Sequence, residues 1–249
     1  MDTGWLAAGG WGLLAGSALL LGAALGYLVP FSQRSVAAVM AVGAGVLISA
    51  LSFELMEKAL DRGGLLATGV GFVAGASVYS GINWLLGERA KHRKRSGFSE
   101  HNKQHEEGGA AIALGALLDG IPESIVIGVS LLEGKGVSAV TVAAVFLSNL
   151  PEGLSSAAGM KRAQRGSGYI FGVWSAIAIA SGVAAILGNV LFAHASAGTL
   201  SATTAVAAGA ILAMLADTMM PEAWEGSHEF TGLLTVLGFL LAFVFSHLG

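Results

Sequence analysis

The chain has 249 residues, of which 54% are hydrophobic and 12% charged, with a mean hydropathy of +0.72 and a formal net charge of -3. These values set aside a soluble domain around one core and point to an all-α polytopic membrane protein whose partner is the lipid bilayer. The small net charge argues for no nucleic acid as a partner, and 0 cysteines remove disulfides and thiolate metal sites, leaving oxygen or histidine as ligands.

In chain order, apolar stretches run over 5-29, 37-57, 65-86, 110-132, 137-159, 168-193, 203-221 and 230-248. Each approaches the ~20 residues of a helical crossing, which makes about eight spans in a single transmembrane domain, 1-249. The first follows Met1-Asp2-Thr3-Gly4 with no basic flank and reads as a retained span, not a cleaved signal. Turn signals separate the spans: Pro30 with Ser32, Arg62-Gly63-Gly64, Glu133-Gly134-Lys135-Gly136 and Arg165-Gly166-Ser167-Gly168. Residues 88-107 form the one sizeable polar segment, a cytoplasmic loop with His92, His101 and His105. Irregular histidine spacing favours an orientation-setting linker over a metal site there. Many of the 37 glycines fall in the apolar stretches, where small residues let membrane helices pack closely.

Lysine and arginine set the orientation. With the N-terminus outside, the inner loops carry Arg34, then Arg89, Lys91, Arg93, Lys94, Arg95 and Lys103, then Lys161, Arg162 and Arg165, while the outer loops carry Lys58, Arg62 and Lys135. The positive-inside rule then puts both termini outside the cytoplasm in an integral multi-pass protein of the plasma (inner) membrane. Spans 4-5 form a central antiparallel pair between two sets of three, spans 1-3 and 6-8, related as an inverted repeat. Ala44-Gly45-Val46-Leu47 through Ala59 aligns without gaps on Ala208-Gly209-Ala210-Ile211 through Ala223. Inverted repeats around interrupted helices are how many secondary transporters build a midplane site.

Two segments of the central pair echo each other: Leu118-Asp119-Gly120-Ile121-Pro122-Glu123-Ser124 and Leu147-Ser148-Asn149-Leu150-Pro151-Glu152-Gly153. Asp119 and Glu123 stand at i and i+4, as do Ser148 and Glu152, so each pair lines one helix face, and Asn149 shares the second face. Pro122 and Pro151 cannot donate to the carbonyls of Leu118 and Leu147, so each helix bends and frees a carbonyl beside its carboxylate. An ionised carboxylate at the bilayer centre costs about 3 kcal/mol by insertion scales, so three together demand a divalent cation or protons to offset them. The bland readings are protonated glutamates as interhelical glue, Asp119 as a helix cap, and Ser148 bonded to its own backbone.

On these residues the chain resembles the ZIP (zinc-iron permease) family of metal transporters. Ser148 to Gly153 looks like its fifth-span signature, Asp119 to Ser124 like its fourth-span signature, and Asp217-Thr218-Met219-Met220-Pro221-Glu222-Ala223 like the end of its seventh span. The resemblance implies a permease for a divalent metal ion, uptake into the cytoplasm, and a metal site from Asp119, Glu123, Ser148, Asn149 and Glu152. Asp119 and Ser148 stand where His is usual in the family and Gly120 where Asn is usual. Ser181 matches the position of a sixth-span glutamate that holds a second metal in some members. The all-oxygen ligand set suits manganese or iron(II) as well as zinc.

Glu54 and Glu57 at the outer end of span 2, and Glu222, Glu225, His228 and Glu229 at the inner end of span 7, would line the mouths of a pathway. Asp217 lies about one turn deeper than Glu222. The resulting expectation is a transporter and not an enzyme, without a resident cofactor, carrying zinc, iron(II) or manganese by alternating access. A homodimer stays open. Its rivals are a proton or monovalent-cation pathway through the same carboxylates, an intramembrane hydrolase pairing Asp119 with Asp217, and a metal-binding receptor that moves nothing.

Overall fold

The computed structural model describes residues 4–95, 117, 120–133 and 139–248, and every regular element among them is helical. The helices are α1 (Gly4–Leu28), α2 (Gln33–Ala50), α3 (Glu57–Arg95), α4 (Gly120–Ser130), α5 (Ala139–Arg162), α6 (Ser167–Leu191), α7 (Ala197–Met214), α8 (Met220–Ser227) and α9 (Thr231–Leu248). A π-helical turn, Leu51–Met56, joins α2 to α3, and a second, Leu215–Met219, joins α7 to α8. Four continuous runs are long and apolar enough to cross a membrane: Gly4–Leu28, Gln33–Leu85, Ser167–Leu191 and Ala197–His247.

The two longest runs are interrupted where the backbone turns left-handed, at Gly64 (φ 70°) and at His228 (φ 40°). The first break falls in the expected Arg62-Gly63-Gly64 turn, because glycine alone enters that region without a Cβ penalty. Helix α3 then continues to Arg95, so the first part of the expected polar loop is helical. The rest of that loop, with His101 and His105, lies outside the described residues, as does Asp119.

Contacts at successive levels give the helix directions. Ala15 meets Asn149, Leu19 meets Gly153 and Tyr27 meets Lys161, so α1 and α5 run parallel. Gly12 and Gly16 meet Ser181, and Tyr27 meets Phe171, so α1 and α6 run antiparallel. Gly120 lies beside Ser181, and Gly128 beside Asn189, which makes α4 parallel to α6 and therefore opposite to α5. Likewise α2 parallels α9 through Gly45 with Phe239 and Phe53 with Phe243, and α3 parallels α7 through Gly71 with Ala202 and Tyr79 with Thr218.

These pairings sort the helices into two groups. Helices α2, α3, α7, α8 and α9 share one apolar core around Ala44, Leu47, Leu51, Ala208 and Leu215, into which α4 sends Val126 and α5 sends Ala144. Helices α1, α5 and α6 share another around Leu19, Ala157, Ile170 and Trp174, and α4 packs on α6. The groups meet along a seam, where α2 touches α5 and where Glu123 and Val126 of α4 stand beside α2, its π turn and α7.

One frame is built twice. Helices α1 and α6 each have 25 residues, and α2 and α7 each have 18. Ser32 caps α2 by accepting from the Ser35 amide, and Ser196 caps α7 by accepting from the Thr199 amide. The caps Ser32 and Ser196, the π-turn starts Leu51 and Leu215, and the breaks Gly64 and His228 are all separated by the same interval of chain. The close contacts repeat too: Gly45 abuts the backbone of Thr235 and Phe239, and Gly209 abuts that of Phe72 and Ala76.

Candidate functional site

Asn149 opens the geometry of the site. Buried at 4% exposure in α5, it donates from Nδ2 to the Ala15 carbonyl of α1 at 3.1 Å. Next to Ala15, Gly16 packs on Ser181 of α6, and Gly120 of α4 faces the Ser181 hydroxyl. The start of the fourth-span motif and the middle of the fifth-span motif therefore share one layer, held by α1 and α6. Since α4 and α5 run oppositely, Glu123 and Glu152 stand about one turn to either side of that layer.

Glu123 is 2% exposed. It borders a narrow space of about 10 Å³, room for about one water molecule, together with Leu47, Ala50, Leu51 and Leu55, Val126, Thr141, Ala144 and Val145, and Ile211. That lining brings α2, its π turn, α5 and α7 onto one carboxyl of α4. Glu152 is half-buried and does not border this space. Among the described residues, no three His, Asp or Glu side chains gather as a metal cluster.

The serines take local bonds. Ser148 Oγ donates to the Val145 carbonyl at 2.9 Å and Ser124 Oγ to the Gly120 carbonyl at 2.7 Å, the habit expected of serine in an apolar helix. Each hydroxyl keeps its lone pairs for a cation. Helix α5 runs on through Pro151, and Gly43 of α2 stands opposite the Pro151 ring and the Leu147 carbonyl that the proline leaves without its helical donor. A side chain at Gly43 would press on both and on Met219.

Of the expected pathway residues, Glu54 in the first π turn accepts from Ser246 of α9 at 2.8 Å and pairs with Lys58 at 2.9 Å. It is thus tethered to α9 and to its own helix. Asp217 in the second π turn is exposed and accepts from Ser80 of α3 at 3.5 Å, while its neighbour Thr218 meets the Tyr79 hydroxyl at 3.2 Å. Glu222 is exposed in α8, and among the described residues no contact brings it to the central layer.

Two further polar residues escaped sequence reasoning. Asn189 of α6 donates to the Gly128 carbonyl of α4 at 3.1 Å, binding the fourth span to the sixth as Asn149 binds the fifth to the first. Lys161 donates to the Tyr27 carbonyl and lies over the Tyr27 ring, closing the last turn of α1. An asparagine amid apolar residues was the available signal for the first, whereas the second is invisible without the fold. Comparison with models of known protein families gives no match, and no curated protein matches the chain in sequence.

Proposed function

We propose that this chain is a divalent metal permease with eight membrane crossings, built as an inverted repeat around spans four and five, and a relative of the ZIP transporters. The observation that carries it is that the start of the fourth-span motif and the middle of the fifth-span motif come to one layer held by α1 and α6, with Glu123 buried beside it. The doubly built frame of α1 with α2 and α6 with α7, together with the alternating helix directions, supports the inverted repeat. Basic residues at the inner loops support both termini facing out.

In this reading Glu123 and Glu152 reach from opposite sides of the layer toward one zinc, iron(II) or manganese ion, and Asp119, Ser148 and Asn149 complete an oxygen-rich shell. The ion is cargo. Glu54 at the outer mouth, with Asp217 and Glu222 toward the inner mouth, raises the local cation concentration along the route. Alternating access follows if the group of α1, α4, α5 and α6 shifts against the other group where α4 and α5 meet α2. An inside-negative potential favours entry of a divalent ion by roughly 4.6 kcal/mol per 100 mV, twice the single-charge value.

Uptake in proteoliposomes tests this. Glu123→Ala and Glu152→Ala are each expected to abolish metal entry while the purified variants keep wild-type helicity; wild-type rates in either would refute the site. A proton pathway would instead leave the protein's melting temperature indifferent to zinc, manganese and iron(II) alike. Asp119→His is expected to shift the uptake profile toward zinc, since imidazole is the better zinc ligand.

A further inference from the structure

Glu54 and Lys58 form an ion pair whose two members are held very differently. Glu54 sits in the π turn Leu51–Met56 with its side chain 13% exposed; Oε1 accepts from Ser246 of α9 at 2.8 Å, and Oε2 pairs with Lys58 Nζ at 2.9 Å. The turn itself is pinned to α9, because the Phe53 ring meets Phe239, Phe243 and His247 edge-on with centroids 5.9, 5.1 and 6.1 Å away. Lys58 lies four residues further along the same helix and is 37% exposed. Its ammonium rides on a flexible four-carbon stem with rotatable donors, so it can leave the carboxylate by a rotamer change into solvent. Glu54 cannot follow without breaking the packing of its own turn.

We propose that Lys58 is an exchangeable counter-ion for Glu54, neutralising the carboxylate while no metal is present and yielding it to an entering divalent cation. This role rests on the permease reading and gives that route a residue that sets affinity at its first step. Burial creates the need for a partner: a carboxylate this far out of water is destabilising without a positive charge beside it, and Ser246 supplies a hydrogen bond but no charge. An ammonium and a metal ion cannot hold the same oxygens, so every ion bound at Glu54 displaces Lys58. The divalent ion replaces it by bringing twice the charge to a carboxylate that Ser246 and the Phe53 packing have already fixed in position. The same turn connects this exchange to the centre of the molecule, since Leu51 and Leu55 wall the space beside Glu123. A cation taken up at Glu54 thus stands one residue along the chain from the wall of the buried site.

Uptake kinetics of the full chain in proteoliposomes test the exchange, with zinc and manganese(II) as the probes. Lys58→Gln is expected to lower KM roughly threefold, the strength of one partly exposed ion pair, while the maximal rate stays at the wild-type value. Lys58→Met takes its place if Lys58→Gln folds poorly by circular dichroism. Lys58→Arg keeps the charge and is expected to show no fall in KM. In a Glu54→Gln background, where KM is raised, Lys58→Gln is expected to change nothing further, because the partner it competes for is gone. A fall in KM of the same size in that background would mean that Lys58 acts through its general field, and an unchanged KM in Lys58→Gln alone would make the pair structural only. Either result overturns the exchange and leaves the permease reading standing. Absence of wild-type uptake of both metals would overturn that reading, and the exchange with it.

Discussion

Asn149 and Ser148 are neighbours with different tasks, and their hydrogen bonds separate them. Asn149 ties α5 to α1 through a buried interhelical bond, so Asn149→Ala is expected to destabilise the protein by about 1 kcal/mol as well as to weaken metal binding. Ser148 bonds only within its own helix turn, so Ser148→Ala is expected to leave the thermal midpoint in detergent essentially unchanged. Any fall in uptake by that variant then reads ligation directly. At this scale the sequence was informative about chemistry and poor about partners. The carboxylates announced themselves because hydrocarbon tolerates them badly, whereas Ser246 as the donor to Glu54 depends on a pairing of α2 with α9 that no local pattern encodes.

At the scale of elements, hydropathy located apolar helices but not their true ends. Helix α2 starts at Gln33 and α7 at Ala197 because a serine caps each one, and both continue past the expected limits of 57 and 221 through a π turn. The alignment of span two with span seven looked faint, since small apolar residues resemble one another in any membrane helix. A serine cap, a π turn and a break recur at matching positions in both, yet none of these leaves a strong residue signature: one break uses glycine and the other histidine. That difference predicts opposite outcomes. Gly64→Ala forces a Cβ into the left-handed region and is expected to cost about 1 kcal/mol. His228→Gly relieves a side chain already held at φ 40° and is expected to raise stability by about the same amount. Thermal unfolding of the two variants in one detergent checks both signs.

For the whole molecule, composition alone was enough to call for a helical membrane bundle, but the division into two groups came only with the contacts. Lacking cysteine, the chain offers a clean background for cross-linking across the seam. Leu47 and Ala144 lie on α2 and α5 around the space beside Glu123. The double variant Leu47→Cys, Ala144→Cys is expected to lose metal uptake on oxidation and to regain it on reduction, while metal-induced thermal stabilisation persists in both forms.

The positions of the glycines give this division a mechanical meaning. A Cβ at Gly22 or Gly153 would strike the main chain of the helix it touches within the α1 and α5 pair, and the same holds at Gly128 for α4 on α6, at Gly238 for α9 on α2, and at Gly75 for α3 on α7. All these seats lie inside a group. Across the seam a Cβ at Gly43 would meet the Pro151 ring at 3.4 Å and the Leu147 carbonyl at 3.5 Å, close to ordinary contact. Sliding within a group would have to lift one backbone out of another, whereas at Gly43 the contact between the groups is close to ordinary van der Waals distance. Resistance to sliding is therefore greatest within each group, which is what the proposed alternating movement between groups requires.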